Sequence, residues 1–82
     1  SGNVIRSQFA IQVSGEATVQ ELEARSFQVN NEIISILNAT TPEELQGEDG
    51  MKRLQEEIKK RINSYLKTGQ VVRVYTVETI LQ

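Results

Sequence analysis

Apolar and polar residues alternate from Asn3 to Val13. Ile5, Ser7, Phe9, Ile11 and Val13 fall on one face, and Arg6, Gln8, Ala10 and Gln12 on the other. This is the pattern of a strand with one buried and one solvated side, and Ser14-Gly15 ends it. The period then changes. Val19, Leu22, Ser26, Val29, Ile33 and Ile36/Leu37 step by three and four residues, with Phe27 and Ile34 widening the stripe toward its end. The stepping predicts a helix over Thr18–Asn38, with Thr18 as N-cap and Glu21 closing a T-x-x-E capping box. Glu21, Glu23 and Arg25 are expected in solvent.

After a break at Asn38–Thr40, Thr41-Pro42-Glu43-Glu44 is a helix start: Thr caps, Pro takes the first helical position and Glu44 completes the box. Only Leu45 follows as an apolar anchor before Gly47, so one or two turns are expected. Asp49 caps the next helix. Its stripe, Met51, Leu54, Ile58, Ile62 and Tyr65/Leu66, runs through Lys67 and predicts a helix over Met51–Lys67 with Gly69 as the C′ residue. Glu56→Lys60 and Glu57→Arg61 stand in the favourable i,i+4 order, and the cations gather near the carboxyl end, where the helix dipole favours them. Val71–Gln82 (VVRVYTVETILQ) reads as a second strand. Apolar residues occur on both of its faces, so it is either covered on both sides or carries a bulge near Thr76–Glu78. The fold class is α+β: a small sheet made by the N- and C-terminal strands, packed against two long helices joined through a short helical turn. The expected strand pairing is antiparallel.

Composition narrows the function more than the fold. Eighty-two residues make one domain at most. There is no cysteine and no histidine, which removes disulfides, thiolate metal sites and the usual general base near neutral pH. Serine and threonine therefore lack the partner that would activate them as nucleophiles. The acidic pairs Glu43/Glu44, Glu48/Asp49 and Glu56/Glu57 are expected in solvent, and Gly47–Gly50 lacks the ligand spacing of a calcium loop. No metal or cofactor is expected. Gly15 and Gly69 are isolated, so no phosphate loop is present. Lys59-Lys60-Arg61 lies on a mixed-charge helix without neighbouring exposed aromatics, which argues against nucleic acid.

The net charge of −2 hides an asymmetry. Residues 1–50 hold two bases against eight acids, and residues 51–82 hold seven bases against three acids. No apolar run approaches the roughly 20 residues that span a bilayer. Ser1-Gly2 reads as a cloning remnant, and the chain as a piece of a longer protein.

Taken in order, ELEARSFQVNNEIISILN (21–38), TTPEELQGEDG (40–50), LQEEIKKRINSYL (54–66) and VVRVYTVETILQ (71–82) resemble the extracytoplasmic domain of the FliL family, associated with the flagellar basal body. Arg61–Asn63 and Gln82 are among the closest matches, and the resemblance covers nearly the whole chain. Phe27 stands where a proline is common in the family, and Thr76 and Thr79 where bulkier residues are. The strand and the single transmembrane helix that usually precede this region are missing. The resemblance implies one stomatin/SPFH-like domain over residues 1–82, anchored by that helix at the extracytoplasmic face of the bacterial cytoplasmic membrane. It also implies a non-enzymatic role. Rings of the protein would surround the flagellar stator and regulate it, affecting motility and swarming, with no nucleic acid or small-molecule substrate. Arg25, Leu37, Thr41, Leu45, Leu54, Ile58, Ile62 and Tyr75 match family positions that read as structural.

For self-association the sequence offers two kinds of contact. One is charge, Lys59 and Lys60 of the basic half with Glu21 and Glu23 of the acidic half. The other is the edge of the last strand at Val74 and Tyr75. The competing reading is a cytoplasmic α/β adaptor or ligand-binding module unrelated to the flagellum; a transmembrane helix encoded upstream would discriminate between the two.

Overall fold

The structure, a computed structural model, describes residues 5–81. The expectations for Asn3, Val4 and Gln82 lie outside them. The elements run β1 (Ile5–Val13), α1 (Glu16–Ala24), α2 (Ser26–Asn38), a 3-10 turn (Glu43–Leu45), α3 (Gly50–Asn63) and β2 (Val71–Leu81). β1 and β2 pair antiparallel in a two-stranded sheet. The α+β class and the strand orientation expected from the sequence are both found.

Two bulges set the faces of β2. The partner of β1 jumps from Glu78 to Thr76 between Gln8 and Phe9, and from Arg73 to Val71 between Gln12 and Val13. Val77 and Val72 are therefore the extra residues. Each bulge shifts the alternation by one position, so Val71, Val74, Thr76 and Thr79 come to lie opposite Val13, Ile11, Phe9 and Ser7. This resolves the two-sided apolar pattern of VVRVYTVETIL. The bulge at Val77 falls where the sequence placed one; that at Val72 is additional.

The helices cover the inner face. The core is Val29 and Ile36 of α2, Leu54, Ile58 and Ile62 of α3, and Val71 and Val74 of β2, with Phe9, Ile11, Val13 and Leu22 packed around it. Leu54, Ile58 and Ile62 form an i,i+4 row that is the spine of the molecule. At its amino end α3 meets the 3-10 turn so closely that a Cβ on Gly50 would collide with the Glu44 carbonyl group. The Thr41 hydroxyl accepts the Glu44 N–H at 3.3 Å, as the capping reading requires. Asp49 occupies the N-cap position of α3 without a side-chain hydrogen bond.

Several expectations are corrected. The helix over Thr18–Asn38 is two helices, broken at Arg25 (φ −100, ψ 20). The break lets α1 and α2 satisfy different partners. α2 buries Val29 and Ile36, whereas the buried residue of α1 is Thr18, whose hydroxyl lies 3.5 Å from that of Thr68 in the loop before β2. Thr18 is thus no cap; Gly15 holds that place. Phe27 and Ile34, read as part of the core stripe, are exposed. α3 stops at Asn63, not Lys67. The Asn63 amide donates to the Val71 carbonyl at 3.1 Å and accepts the Val71 N–H at 2.6 Å. It imitates a neighbouring strand and fixes where β2 begins. Gly69 is not a helix C′ residue; a Cβ there would press on the hydroxyls of Thr18 and Ser14.

Glu21, expected in solvent, instead clasps the loop before β2. Its carboxylate accepts the N–H groups of Lys67 (3.0 Å) and Thr68 (2.9 Å), the Thr68 hydroxyl (2.7 Å) and the Arg25 guanidinium (2.7 Å). The side chain is 10% exposed. Hydrogen bonds to the charged form hold its pKa at about 2 rather than 4.5, the Thr68 hydroxyl contributing most and the Lys67 N–H next. Arg25 also lies over the Tyr65 ring, 5.6 Å from its centre. The Tyr65 hydroxyl is enclosed without a hydrogen-bond partner, and burial raises its pKa.

Two outcomes follow from this packing. Gly50→Ala overpacks the α3 start and is expected to destabilise the fold by about 1–3 kcal/mol in urea denaturation. Gly47→Ala meets nothing within 4 Å and is expected to stay within about 0.5 kcal/mol of the parent. For Glu21 the folded pKa lies below the unfolded one. Its stabilising contribution is therefore complete above pH 4.5 and lost as pH falls toward 2. Glu21→Gln is expected to lower the melting temperature at pH 7, with the gap from the parent closing across that window. A gap that does not change with pH would refute the charged clasp.

Candidate functional site

The residues read as interaction candidates do not form one site. Glu21 is consumed by the clasp within the chain. Glu23, two residues along α1, is exposed. Val74 is 4% exposed and belongs to the core, so its side chain offers nothing to a partner. Tyr75 points the other way. It is half exposed on the outer face of the sheet, with the Arg73 guanidinium 5.2 Å from its ring centre and its hydroxyl donating to Gln12 Oε1 at 3.2 Å. Lys60 is exposed on α3, and Lys59 is half-buried where α3 runs beside β2.

The third dimension organises the charges along α3. Glu43, Glu44, Glu48 and Asp49, all exposed, sit around its amino end. Lys59, Lys60 and Arg61 sit in its last turns. Fourteen residues of helix separate the two groups by roughly 20 Å. Both clusters agree with the helix dipole. Arg61 is partly neutralised: its guanidinium reaches Glu57 at 3.0 Å and Glu32 of α2 at 3.4 Å. Among the described residues no ion pair engages Lys59 or Lys60.

A second surface escaped the sequence reading. Phe27 is 90% exposed and Ile34 54% exposed on α2. Seven residues apart, they share one face, about 160° around the helix from Val29 and Ile36. The signal was present in the spacing. Ser26, Val29, Ile33 and Ile36 already complete a stripe, and Phe27 and Ile34 widen it beyond what one helix buries. On the sheet, the bulge residues Val72 and Val77 and the outward Ile80 are exposed as well. A cleft of about 80 Å³ lies between α3 and β2, lined by Lys52, Gln55, Glu56, Lys59 and Val72–Val74.

No three His, Cys, Asp or Glu residues are grouped to hold a metal ion among the described residues, and no described helix is long and apolar enough to cross a membrane. What the fold presents is contact surface: a charge-polarised helix, an apolar pair on α2, and an open β2 edge with exposed valines.

The whole sequence, residues 1–82, matches the family described as "Flagellar basal body-associated protein FliL". Over 82 residues it is 37% identical to "Flagellar protein FliL" of Bacillus subtilis (strain 168), covering 100% of this chain and 59% of that protein. Over 77 residues it is 30% identical to "Flagellar protein FliL" of Aquifex aeolicus (strain VF5), covering 94% of this chain and 48% of that protein. The chain thus spans about half the length of these relatives. The resemblance read from the ordered segments is borne out, and the chain belongs to the FliL family of flagellar basal body-associated proteins.

Proposed function

We propose that residues 1–82 are a single stomatin/SPFH-like domain of a membrane-anchored flagellar accessory protein. It faces the extracytoplasmic side of the cytoplasmic membrane, assembles with copies of itself around the stator, and tunes stator activity without catalysis. The observation that carries this reading is the match to a basal body-associated family over the whole chain. The relatives extend well beyond the matched stretch, which leaves room in a longer protein for the anchoring helix that the family resemblance implies.

The charge distribution supports the assembly. An acidic cluster at one end of α3 and a basic one at the other suit a head-to-tail contact, and such a contact closes into a ring when its rotation permits. The apolar Phe27/Ile34 face adds surface that a neighbour would shield from water.

In the flagellated source bacterium, removing the coding region for residues 1–82 is expected to change swarming or torque under load while filaments still assemble. Unchanged motility under load, or loss of the filament itself, would overturn the role. Single cysteines on α1, α2 and α3, introduced into this cysteine-free domain, are expected to give crosslinks to stator subunits in motile cells. Self-association of the isolated chain, followed by sedimentation, is expected to weaken with salt and with Lys60→Glu, because exposed charges are screened within about 8 Å at physiological ionic strength. A strictly monomeric chain at high concentration and low salt would refute assembly through its own surface.

A further inference from the structure

β2 has a strand on one side only. Among the described residues β1 is its sole strand partner, so its other edge presents backbone N–H and C=O groups without a strand to receive them. That edge opens onto the cleft beside α3. Lys52, Gln55, Glu56 and Lys59 stand at i, i+3, i+4 and i+7 of α3, on one helical face, and line the cleft opposite Val72, Arg73 and Val74. Gln55 fastens helix to strand, its side-chain N–H donating to the Thr76 hydroxyl at 2.8 Å. The result is a strand edge with a helical wall. At about 80 Å³ the cleft is well short of the ≈ 300 Å³ where small-molecule pockets begin.

The wall is cationic. Lys52 and Lys59 line the cleft against a single acid, Glu56, the Arg73 guanidinium lying instead over Tyr75 on the outer face, and no ion pair neutralises Lys52 or Lys59 among the described residues. Exposed apolar residues continue along the same strand, Val72 and Val77 at its bulges and Tyr75 between them. The bulges also bound the length. Only residues 73–76 run regularly between Val72 and Val77, so the edge suits a short partner.

We infer that the β2 edge and the Lys52/Lys59 wall of α3 form a docking groove for a short, extended, acidic segment of another protein, which adds as a third strand. A second copy of this chain is a poor occupant. Its extended segments, β1 and β2, are already paired with each other and carry one acid, Glu78, while its other described acids lie on α1, α2, α3 and the turns between them. The inference does not depend on the flagellar reading and names the chemistry of the occupant rather than its identity.

The test titrates the labelled 82-residue chain with a capped hexapeptide alternating Glu and Val, and separately with one alternating Lys and Val, following amide shifts by NMR. The Glu-Val peptide is expected to move the amides of residues 72–77 and those of Lys52, Gln55 and Lys59, and the Lys-Val peptide to leave them in place. Lys52→Glu with Lys59→Glu, both outside the core, is expected to weaken Glu-Val binding roughly fivefold and to let the Lys-Val peptide bind. The unperturbed spectrum elsewhere verifies that the variant is folded. Three results would overturn the proposal: no shift with either peptide at millimolar concentration, shifts confined to β1 or α2, or shifts of residues 72–77 that appear on concentrating the chain alone.

Discussion

Burial of one row of α3 side chains is the interaction on which the rest of this structure depends. A two-stranded ribbon is marginal alone, and here one face is closed chiefly by Leu54, Ile58 and Ile62. Ile58 and Ile62 are fully buried against β2 and α2. Full burial of such a side chain contributes about 1.5–3 kcal/mol, against about 0–1 kcal/mol for an exposed ion pair like Arg61–Glu57. The row decides the architecture, and the charges decorate it. It also explains the close fit at Gly50: pulling the 3-10 turn onto the α3 start brings Leu45 and Met51 against the core, at the cost of room for any side chain.

What the row cannot reach is held by polar contacts. α1 contributes only half-buried Leu22 to the apolar cluster. Glu21, Thr18 and Ser14 instead bind the loop before β2, and Asn63 binds its first residue. The fold has an apolar half, between α2, α3 and the sheet, and a hydrogen-bonded half, between α1 and the loop at residues 64–70.

That division also separates what was legible in the sequence from what was not. The apolar half was readable. β1 alternates, the α3 stripe is unbroken, Thr41-Pro42 starts a turn, and the mismatch in β2 near Val77 left a bulge as one of two readings. Local periodicity carries these because each reports a nearby apolar surface. The hydrogen-bonded half was misread. Glu21 three residues after Thr18 satisfies the pattern of a capping box, but its partners at Lys67 and Thr68 lie 46 and 47 residues away, and no local pattern encodes them. The break at Arg25 was hidden for the same reason: the residue before it obeys one partner and the residues after it another. Gly69 looked like a helix stop because a close approach to Ser14 and Thr18 leaves the same mark on a sequence. Of the candidate contact residues, Glu23, Lys60 and Tyr75 do reach solvent. Val74 is inside because the bulge at Val72 turns it there, and Phe27 and Ile34 were taken as core because hydrophobicity does not reveal when a helix face is already full.

The antiparallel pairing of β1 and β2 has a consequence in time. Ser7 bonds Glu78 and Thr79 across 71 and 72 positions of chain, whereas Asn63 reaches Val71 across 8. Loop closure costs more as the loop lengthens, so the latch between helix and strand is the cheaper contact to form first. On a ribosome the order is stricter still. β1 is made before every other described element and β2 after them all, so β1 must wait with both edges bare while the helices emerge. Its solvent face, Arg6, Gln8, Ala10 and Gln12, contains no large apolar group. That composition reads as a safeguard for the interval before its partner exists.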